Sequence, residues 1–200
     1  MKKTVLLLLS FFMLISVSTA IGQSSQDEFD QSSREFQEWA KNVSEFVKDV
    51  RFNEKDIQNF ISQWDDFNAL GDEQGMGDEE EYVDFNSILN NPAYIAWAKS
   101  KGMDSEEWLK KSMRITAMMM KTSIQKSKSQ GQFDMTGQMA EIEKMRAQIG
   151  EEMYQQMKQA TEASAAAMKS LDDSSNELPE PTESEKMLLV KYNRQLMNLE

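Results

Sequence analysis

The 200-residue sequence contains neither cysteine nor histidine. Without cysteine the chain has no disulfide, no thiolate nucleophile and no thiolate ligand for zinc. Without histidine it has no Ser-His-Asp triad, no imidazole acid or base near neutral pH and no imidazole metal ligand. These two absences exclude the commonest routes to hydrolysis and to transition-metal binding, and the fold must be stable through packing alone.

Basic residues are scarce relative to acidic ones. The chain has 22 lysines and arginines against 34 aspartates and glutamates, which gives a net charge of −12. Phosphate backbones repel such an acidic chain, so nucleic acid is not expected as a partner. The rest of the composition, 40% hydrophobic and 28% charged, is typical of one soluble domain with its own core.

Residues 1–20 have the layout of a secretory signal peptide. Two lysines precede an apolar or small run over residues 4–17, and the small residues Ser18 and Ala20 stand at positions −3 and −1 of a cleavage site. The run is shorter than the ~20 residues that a transmembrane helix needs. We predict cleavage after Ala20, a periplasmic or secreted bacterial protein, and no stable membrane span after cleavage. Retention as an uncleaved N-terminal anchor is the alternative.

Hydrophobic periodicity predicts an all-α fold, a bundle of about five or six helices, with the main helical domain over residues 21–171. In residues 27–50 the apolar side chains fall within an arc of about 120° around a helix, and charged residues lie opposite. Asn53 and Asn91 stand where N-caps would begin two further helices. No segment shows the alternation of a strand.

The helix predicted over residues 105–127 is apolar over more than half of its circumference, so we expect it to pack centrally with neighbours on two sides. Charge is segregated around it. Residues 108–133 carry six bases and no acid, whereas residues 53–91 carry eleven acids and one lysine. We expect the two segments to pair within the chain, and a head-to-tail dimer is a second use of the same asymmetry.

One long Met-rich helix is predicted from residue 135 to residue 171, because its apolar residues stay within about 140° over about ten turns. Gly137 and Gly150 weaken this helix by about 1 kcal/mol each relative to alanine, so a bend or a break at either is the alternative. The stripe consists of Met135, Met139, Ile142, Met145, Ile149, Met153, Met157, Ala160, Ala163, Ala167, Met168 and Leu171.

Residues 172–181 are rich in acids and serine and contain two prolines, which predicts a linker. Thr182 and Glu185 then form the capping-box pattern of a C-terminal amphipathic helix over residues 182–200, tethered by that linker. One face of this helix is apolar, and we expect it to dock on the body or on a partner. The candidate partner-binding residues are Leu188, Tyr192, Leu196 and Leu199.

Methionine is abundant, with 16 residues in the sequence. Thioether sulfur is a soft ligand, so a copper(I) site is conceivable. Its candidate ligands are Met113, Met118, Met119 and Met120. The alternative is that methionine fills irregular helical cores and adaptable binding surfaces. Because most methionines follow the apolar stripes, we favour packing and expect no cofactor.

Paired carboxylates remain as possible catalysts, since two acids can cleave a glycosidic bond without cysteine or histidine. With 34 acids in the chain, however, adjacent pairs arise by chance. No glutamate stands in an unusually apolar stretch, so a carboxylate-dependent glycan hydrolase ranks third among the hypotheses.

The sequence favours an exported, non-catalytic helical interaction protein, such as a scaffold, a chaperone-like binder or a subunit of an envelope assembly. A protein partner or self-association is expected, and the identity of the partner stays open. A Met-rich binder of a small ligand or of copper(I) is the alternative. That alternative predicts a concave pocket lined by methionine and tryptophan.

Overall fold

The computed structural model describes residues 24–74, 85–129 and 135–199, and these ranges contain eight α-helices and no strand. The predicted all-α bundle is confirmed. The predicted signal peptide, residues 1–20, lies outside the described residues. The helices are α1 (Ser24–Val47), α2 (Glu54–Gln74), α3 (Phe85–Asn90), α4 (Pro92–Ser100), α5 (Ser105–Ser129), α6 (Met135–Ile149), α7 (Glu151–Glu177) and α8 (Glu183–Leu196).

Three helices begin at side chains that accept hydrogen bonds from the free N–H groups of the first turn. Asn53 Oδ1 accepts from the backbone N–H groups two and three residues later, at 2.9 and 3.2 Å. Asn91 caps α4 in the same way. Thr182 and Glu185 form the capping box at the start of α8. The local sequence patterns therefore place these three helix starts correctly.

α5 is the central helix, and buried clusters lie on two of its sides. On one side Ile115 and Met118 pack against α2 and α8. On the other side Ala117 packs against α1 and against Leu178, just after α7. A further cluster around Trp108 joins α5 to α4. The two-sided packing predicted for this helix is confirmed.

The Met-rich segment forms two helices where one long helix was predicted. Gly150 separates them and has φ +80° and ψ 163°, a combination that almost only glycine adopts. The Tyr154 hydroxyl donates to Glu143 Oε2 at 2.5 Å, although eleven residues of continuous helix would separate the two residues by about 16 Å. α6 therefore folds back against α7 as a hairpin. This division, together with the short helix α3, gives eight helices in the described ranges instead of five or six.

The predicted linker, residues 172–181, is helical up to Glu177 and packed against the body beyond it. The acidic and serine-rich residues after Leu171 continue α7 and do not end it. Two serines in the last turn of α7 are buried against the body. The helix ends near Pro179, which disfavours helical backbone at the residue before it. Leu178 is only 2% exposed. α8 is thus joined to the bundle by a docked segment and not by a free tether.

Candidate functional site

The candidate copper ligands lie on α5 and do not converge on one point. Met118 is fully buried and packs with Met119 toward α2 and α8. Met113 and Met120 pack toward α1 on another side. The separation follows from helix geometry, because consecutive residues are 100° apart around the axis. These four methionines fill the core around α5.

A cavity of about 270 Å³ lies between α1 and α7, and it does not have the lining that a Met- and Trp-lined ligand site requires. In the ranges that the structure describes, no group of three or more acidic side chains is arranged to hold a metal ion. The cavity is lined by Gln37, Ala166, Lys169, Ser170, Asp173 and Ser174.

The four C-terminal candidate residues face the protein's own core. The cluster between α2, α5 and α8 includes Leu188, Tyr192, Leu196 and Leu199. The Tyr192 hydroxyl donates to Glu54 Oε1 at 2.6 Å and accepts from Gln58 Nε2 at 2.7 Å, which fixes α8 on α2. Of the two docking modes expected for this helix, the structure shows docking on the body.

Two cations of α5 anchor the C-terminal segment. Arg114 forms a two-pronged ion pair with Glu185, with Nε to Oε1 at 2.7 Å and Nη2 to Oε2 at 2.9 Å. The Arg114 guanidinium also donates to the carbonyl oxygen of Glu180 at 3.2 Å. Lys121 Nζ donates to the carbonyl oxygen of Leu178 at 2.9 Å and to the Glu180 carboxylate. Both cations are buried, so the segment after α7 satisfies charges that water cannot reach.

The acids near the start of α2 pair with α5 only in part. Lys111 Nζ lies 3.0 Å from Asp56 Oδ1, in line with the expected pairing of the acidic and basic segments. The two buried cations, Arg114 and Lys121, pair instead with the C-terminal segment. Charge counts identify the basic helix, but they do not identify its partners, because periodicity does not fix which elements become neighbours.

Glu185 is the one fully buried carboxylate among the described residues. Burial would raise its pKa, but hydrogen bonds from Arg114 and Thr182 outweigh burial and hold the pKa below its ordinary value of 4.5. The acid of a glycosidase needs the opposite shift, because it must carry a proton near neutral pH. Glu185 therefore holds a charge that positions α8, and it lacks the environment of a proton donor.

α6 and the first half of α7 lie beyond the end of α5, and α1 packs along α7. Lys128, near the end of α5, pairs with Asp172 of α7 at 2.6 Å. From Asp172 back to Glu151, α7 continues for about 31 Å more. α6 packs against α7 and has no comparable contact with another described helix. Among the described side chains of α6, only Ile142 is buried. We call residues 136–162 the arm.

The Met stripe reaches the surface on the arm. Met153 is 51% exposed and Met145 is 36% exposed. Further along α7 the same stripe is covered, since Ala167 and Leu171 are buried. The stripe is thus core at one end and surface at the other. We call its exposed end the arm surface, which consists of Met145 and Met153 with the partly buried Met139, Ile149 and Met157.

The side of α8 that points away from the body is a second exposed apolar surface. Val190 is 76% exposed, Met187 is 73% and Met197 is 59%. The leucine periodicity predicts only the opposite side of the helix, although these three residues also fall within an arc of about 80°. We call this surface the outer face of α8; it comprises Met187, Val190 and Met197 with the exposed bases Lys186, Lys191 and Arg194.

Exposed apolar side chains concentrate on these two surfaces. Of the six large hydrophobic side chains exposed in the described ranges, two lie on the arm surface and three on the outer face of α8. The sixth is Ile95 on α4. Single exposed apolar residues are normal on a protein surface, whereas clusters of them often mark binding surfaces.

The fold is an all-α bundle in which α6 and α7 form a helical hairpin. Across residues 24–74, 85–129 and 135–199, no helix has the length and apolar character needed to cross a membrane. No protein-family model, curated protein or solved structure matches the chain. Function must therefore be inferred from the surfaces themselves.

Proposed function

We propose that the protein is an exported, non-catalytic interaction protein that binds a protein partner through the arm. One observation carries this proposal: the apolar stripe that is buried along the second half of α7 is left uncovered on the arm, with Met145 and Met153 open to water. A soluble domain tolerates such a cluster where a partner covers it.

The chemistry of the arm surface suits a protein partner. Methionine is unbranched and polarisable, so it adapts to the shape of what it contacts. An amphipathic helix or helical pair from a partner can lie along such a stripe. The spacing of Met145 and Ile149 on α6, and of Met153 and Met157 on α7, gives each helix an apolar pair one turn apart.

Polar contacts at the tip of the arm hold its two helices in a fixed relation. Arg146 Nη2 lies 2.9 Å from Glu151 Oε2 across the turn. The same guanidinium lies over the ring of Tyr154, 4.5 Å from its centroid. Because the tip is ordered before binding, the partner meets a preformed surface and less conformational entropy is lost.

Export is the part of the proposal supported by the signal-peptide pattern in residues 1–20. Fractionation of the producing cells with N-terminal sequencing tests it. We expect the mature chain to start at Ile21 outside the cytosol. A chain that begins at Met1 and remains in the cytosol would contradict export but would leave the arm proposal standing.

A photo-crosslinking amino acid at Met145 or Met153 tests the arm in the producing cells. Glu162 is the matched control, because it is exposed on the same helix nine residues after Met153 and therefore on the opposite side. We expect adducts of defined mass from the two arm positions and few from the control. Equally sparse adducts from all three positions would remove the arm as a binding surface.

A further inference from the structure

We infer that the arm surface of one copy docks on the outer face of α8 of a second copy, so that copies of the chain associate head to tail. The inference rests on the proposed function, because it names the partner of the arm. The two surfaces match in length, carry exposed charges of opposite sign and lie too far apart to cover each other within one chain.

The two surfaces match in chemistry and in length. Each exposes methionine side chains, and a single helix packs readily against a helical pair. On α8 the apolar residues run from Met187 to Met197, or about 15 Å. The 15 residues of α6 span about 22 Å, so the outer face of α8 fits within the length of the arm.

The exposed charges of the two surfaces are opposite in sign. The exposed charged side chains of α8 sum to +2, and one of these positive charges is offset by Glu54 in contact with Lys191, whereas the whole chain has −12 and the exposed side chains on the arm sum to −2. At physiological ionic strength, repulsion between exposed charges is screened beyond about 8 Å, so charges at the contact decide whether two copies dock. On α8 the exposed charges are Lys186, Lys191, Arg194 and Glu183, and on the arm, without Glu162 on the opposite side, they are Glu141, Glu143, Glu151, Glu152, Lys144 and Arg146.

Charges are available for pairing between copies. Arg194 on α8 makes no ion pair within the described part of the chain. The same holds for Glu141 and Glu152 on the arm, whereas Arg146 is occupied by its neighbours at the tip. The outer face of α8 thus offers a free cation beside its apolar residues, and the arm offers two free carboxylates.

The two surfaces cannot cover each other within one chain. Arg114 meets the first turn of α8, and Lys128, beyond which the arm extends, lies 14 residues or about 21 Å further along α5. A contact between two different surfaces is heterologous, so each dimer retains one free arm and one free α8. Association therefore continues into short chains or closes into a ring.

Two pairs of substitutions test this arrangement by complementation. The first blocks the arm with Met145→Gln and Met153→Gln, which remove apolar contact without adding charge, and the second blocks α8 with Met187→Glu and Val190→Glu. All four side chains are exposed, so both variants should fold, and circular dichroism checks this. Size-exclusion chromatography with light scattering then measures the mass of the parent, of each variant and of their equimolar mixture.

We expect a parent mass that rises with concentration and falls at high salt, and a monomeric mass for each variant alone. The mixture should form a one-to-one dimer, because the intact arm of one variant meets the intact α8 of the other. Ile95→Glu is the control, since Ile95 is exposed outside both surfaces, and it should leave association unchanged. A parent that is monomeric at every concentration, or a mixture that stays monomeric, would overturn the inference.

The outcome separates this inference from the proposed function. If the parent is monomeric and arm crosslinks in cells contain a different protein, head-to-tail association is wrong and the arm remains a binding surface. If arm crosslinks contain two copies of this chain, both proposals gain support. Absence of arm crosslinks together with a monomeric parent would remove both.

Discussion

Arg114 and Glu185 are 71 residues apart in the sequence and form an ion pair in which neither side chain is more than 2% exposed. Each charge depends on the other, because a lone charge in the core has neither water nor a counterion. Glu185 Oε1 also accepts from the backbone N–H of Phe52 at 3.4 Å. One carboxylate therefore joins α8, α5 and the segment before α2.

Glu185→Gln is expected to lower the free energy of unfolding by about 3–5 kcal/mol, because Arg114 then stays buried without a countercharge. Glutamine preserves the capping interaction with Thr182, so the effect reports on the ion pair. Urea unfolding measures it. Asp172→Asn, in a more exposed pair with Lys128, should cost less than about 1 kcal/mol. A Glu185→Gln variant as stable as the parent would show that the pair contributes nothing.

Replacing both partners should cost less than removing one. In Arg114→Met combined with Glu185→Leu, no unpaired charge remains in the core. We expect the free energy of unfolding of the double variant to exceed that of Arg114→Met alone, even though the capping box is lost. Strictly additive losses in this double-mutant cycle would indicate that the two side chains act independently.

Acidification should destabilise the protein partly through Glu185. Burial raises its pKa, but hydrogen bonds from Arg114 and Thr182 hold the folded-state pKa below the ordinary value of 4.5. The unfolded chain therefore takes up the proton first as the pH falls. The stabilisation is complete above about pH 4.5 and is lost as pH falls through the folded pKa. Urea unfolding between pH 7 and pH 3 should show a steeper loss for the parent than for Glu185→Gln, and parallel curves would refute this assignment.

Gly150→Ala should strain the turn of the arm by about 1–3 kcal/mol, because φ +80° with ψ 163° is nearly forbidden to alanine. An added Cβ meets nothing within 4 Å, so the cost is in the backbone alone. The chain has no cysteine, so spin labels on cysteines introduced at Gln138 and Gln159 report the distance across the hairpin. We expect a short, narrow distance in the parent and a longer or broader one in the variant.

Gly71→Ala is the matched control for the turn. Gly71 lies inside α2 without a positive φ, and an added Cβ again meets nothing within 4 Å. Alanine there should raise the free energy of unfolding by about 0.4–1 kcal/mol, because it restricts the unfolded chain. If Gly150→Ala and Gly71→Ala change the free energy of unfolding in the same direction, the positive φ at Gly150 is not needed for the fold.

Because α8 docks on the body, alanine substitutions on its inner side should lower stability more than those on its outer face. Leu196→Ala should cost about 2–4 kcal/mol, since Leu196 is 2% exposed within a buried cluster. Val190→Ala, on the outer face, should change stability by less than about 0.5 kcal/mol. Thermal unfolding compares them. A neutral Leu196→Ala would mean that α8 is not part of the folded core.

The local features of this fold were predictable from short stretches of sequence. The N-caps at Asn53, Asn91 and Thr182 each depend on residues within three or four positions. The central place of α5 followed from the width of its apolar side. A helix that must bury residues around much of its circumference can do so only between neighbours.

Long-range partners were not predictable in the same way. The sequence marks Arg114 as one of six bases in a run, but nothing within its own helix shows that Glu185 will reach it. Gly150 was marked as a weak point, yet the choice between a bend and a full reversal depends on the contact of Tyr154 with Glu143. The outer face of α8 was missed because one helix presented two apolar sides, and the leucine side masked the other.

The hydrophobic cluster between α2, α5 and α8 also governs when folding can be completed. Ile57, Phe60 and Trp64 are covered by Leu189 and Leu196, which the ribosome adds more than a hundred residues later. In a nascent chain the apolar side of α2 therefore stays uncovered until residues 183–196 have been synthesised. Chaperones that bind unfolded segments can bind this apolar side during that time. Premature termination before α8 would leave it permanently uncovered.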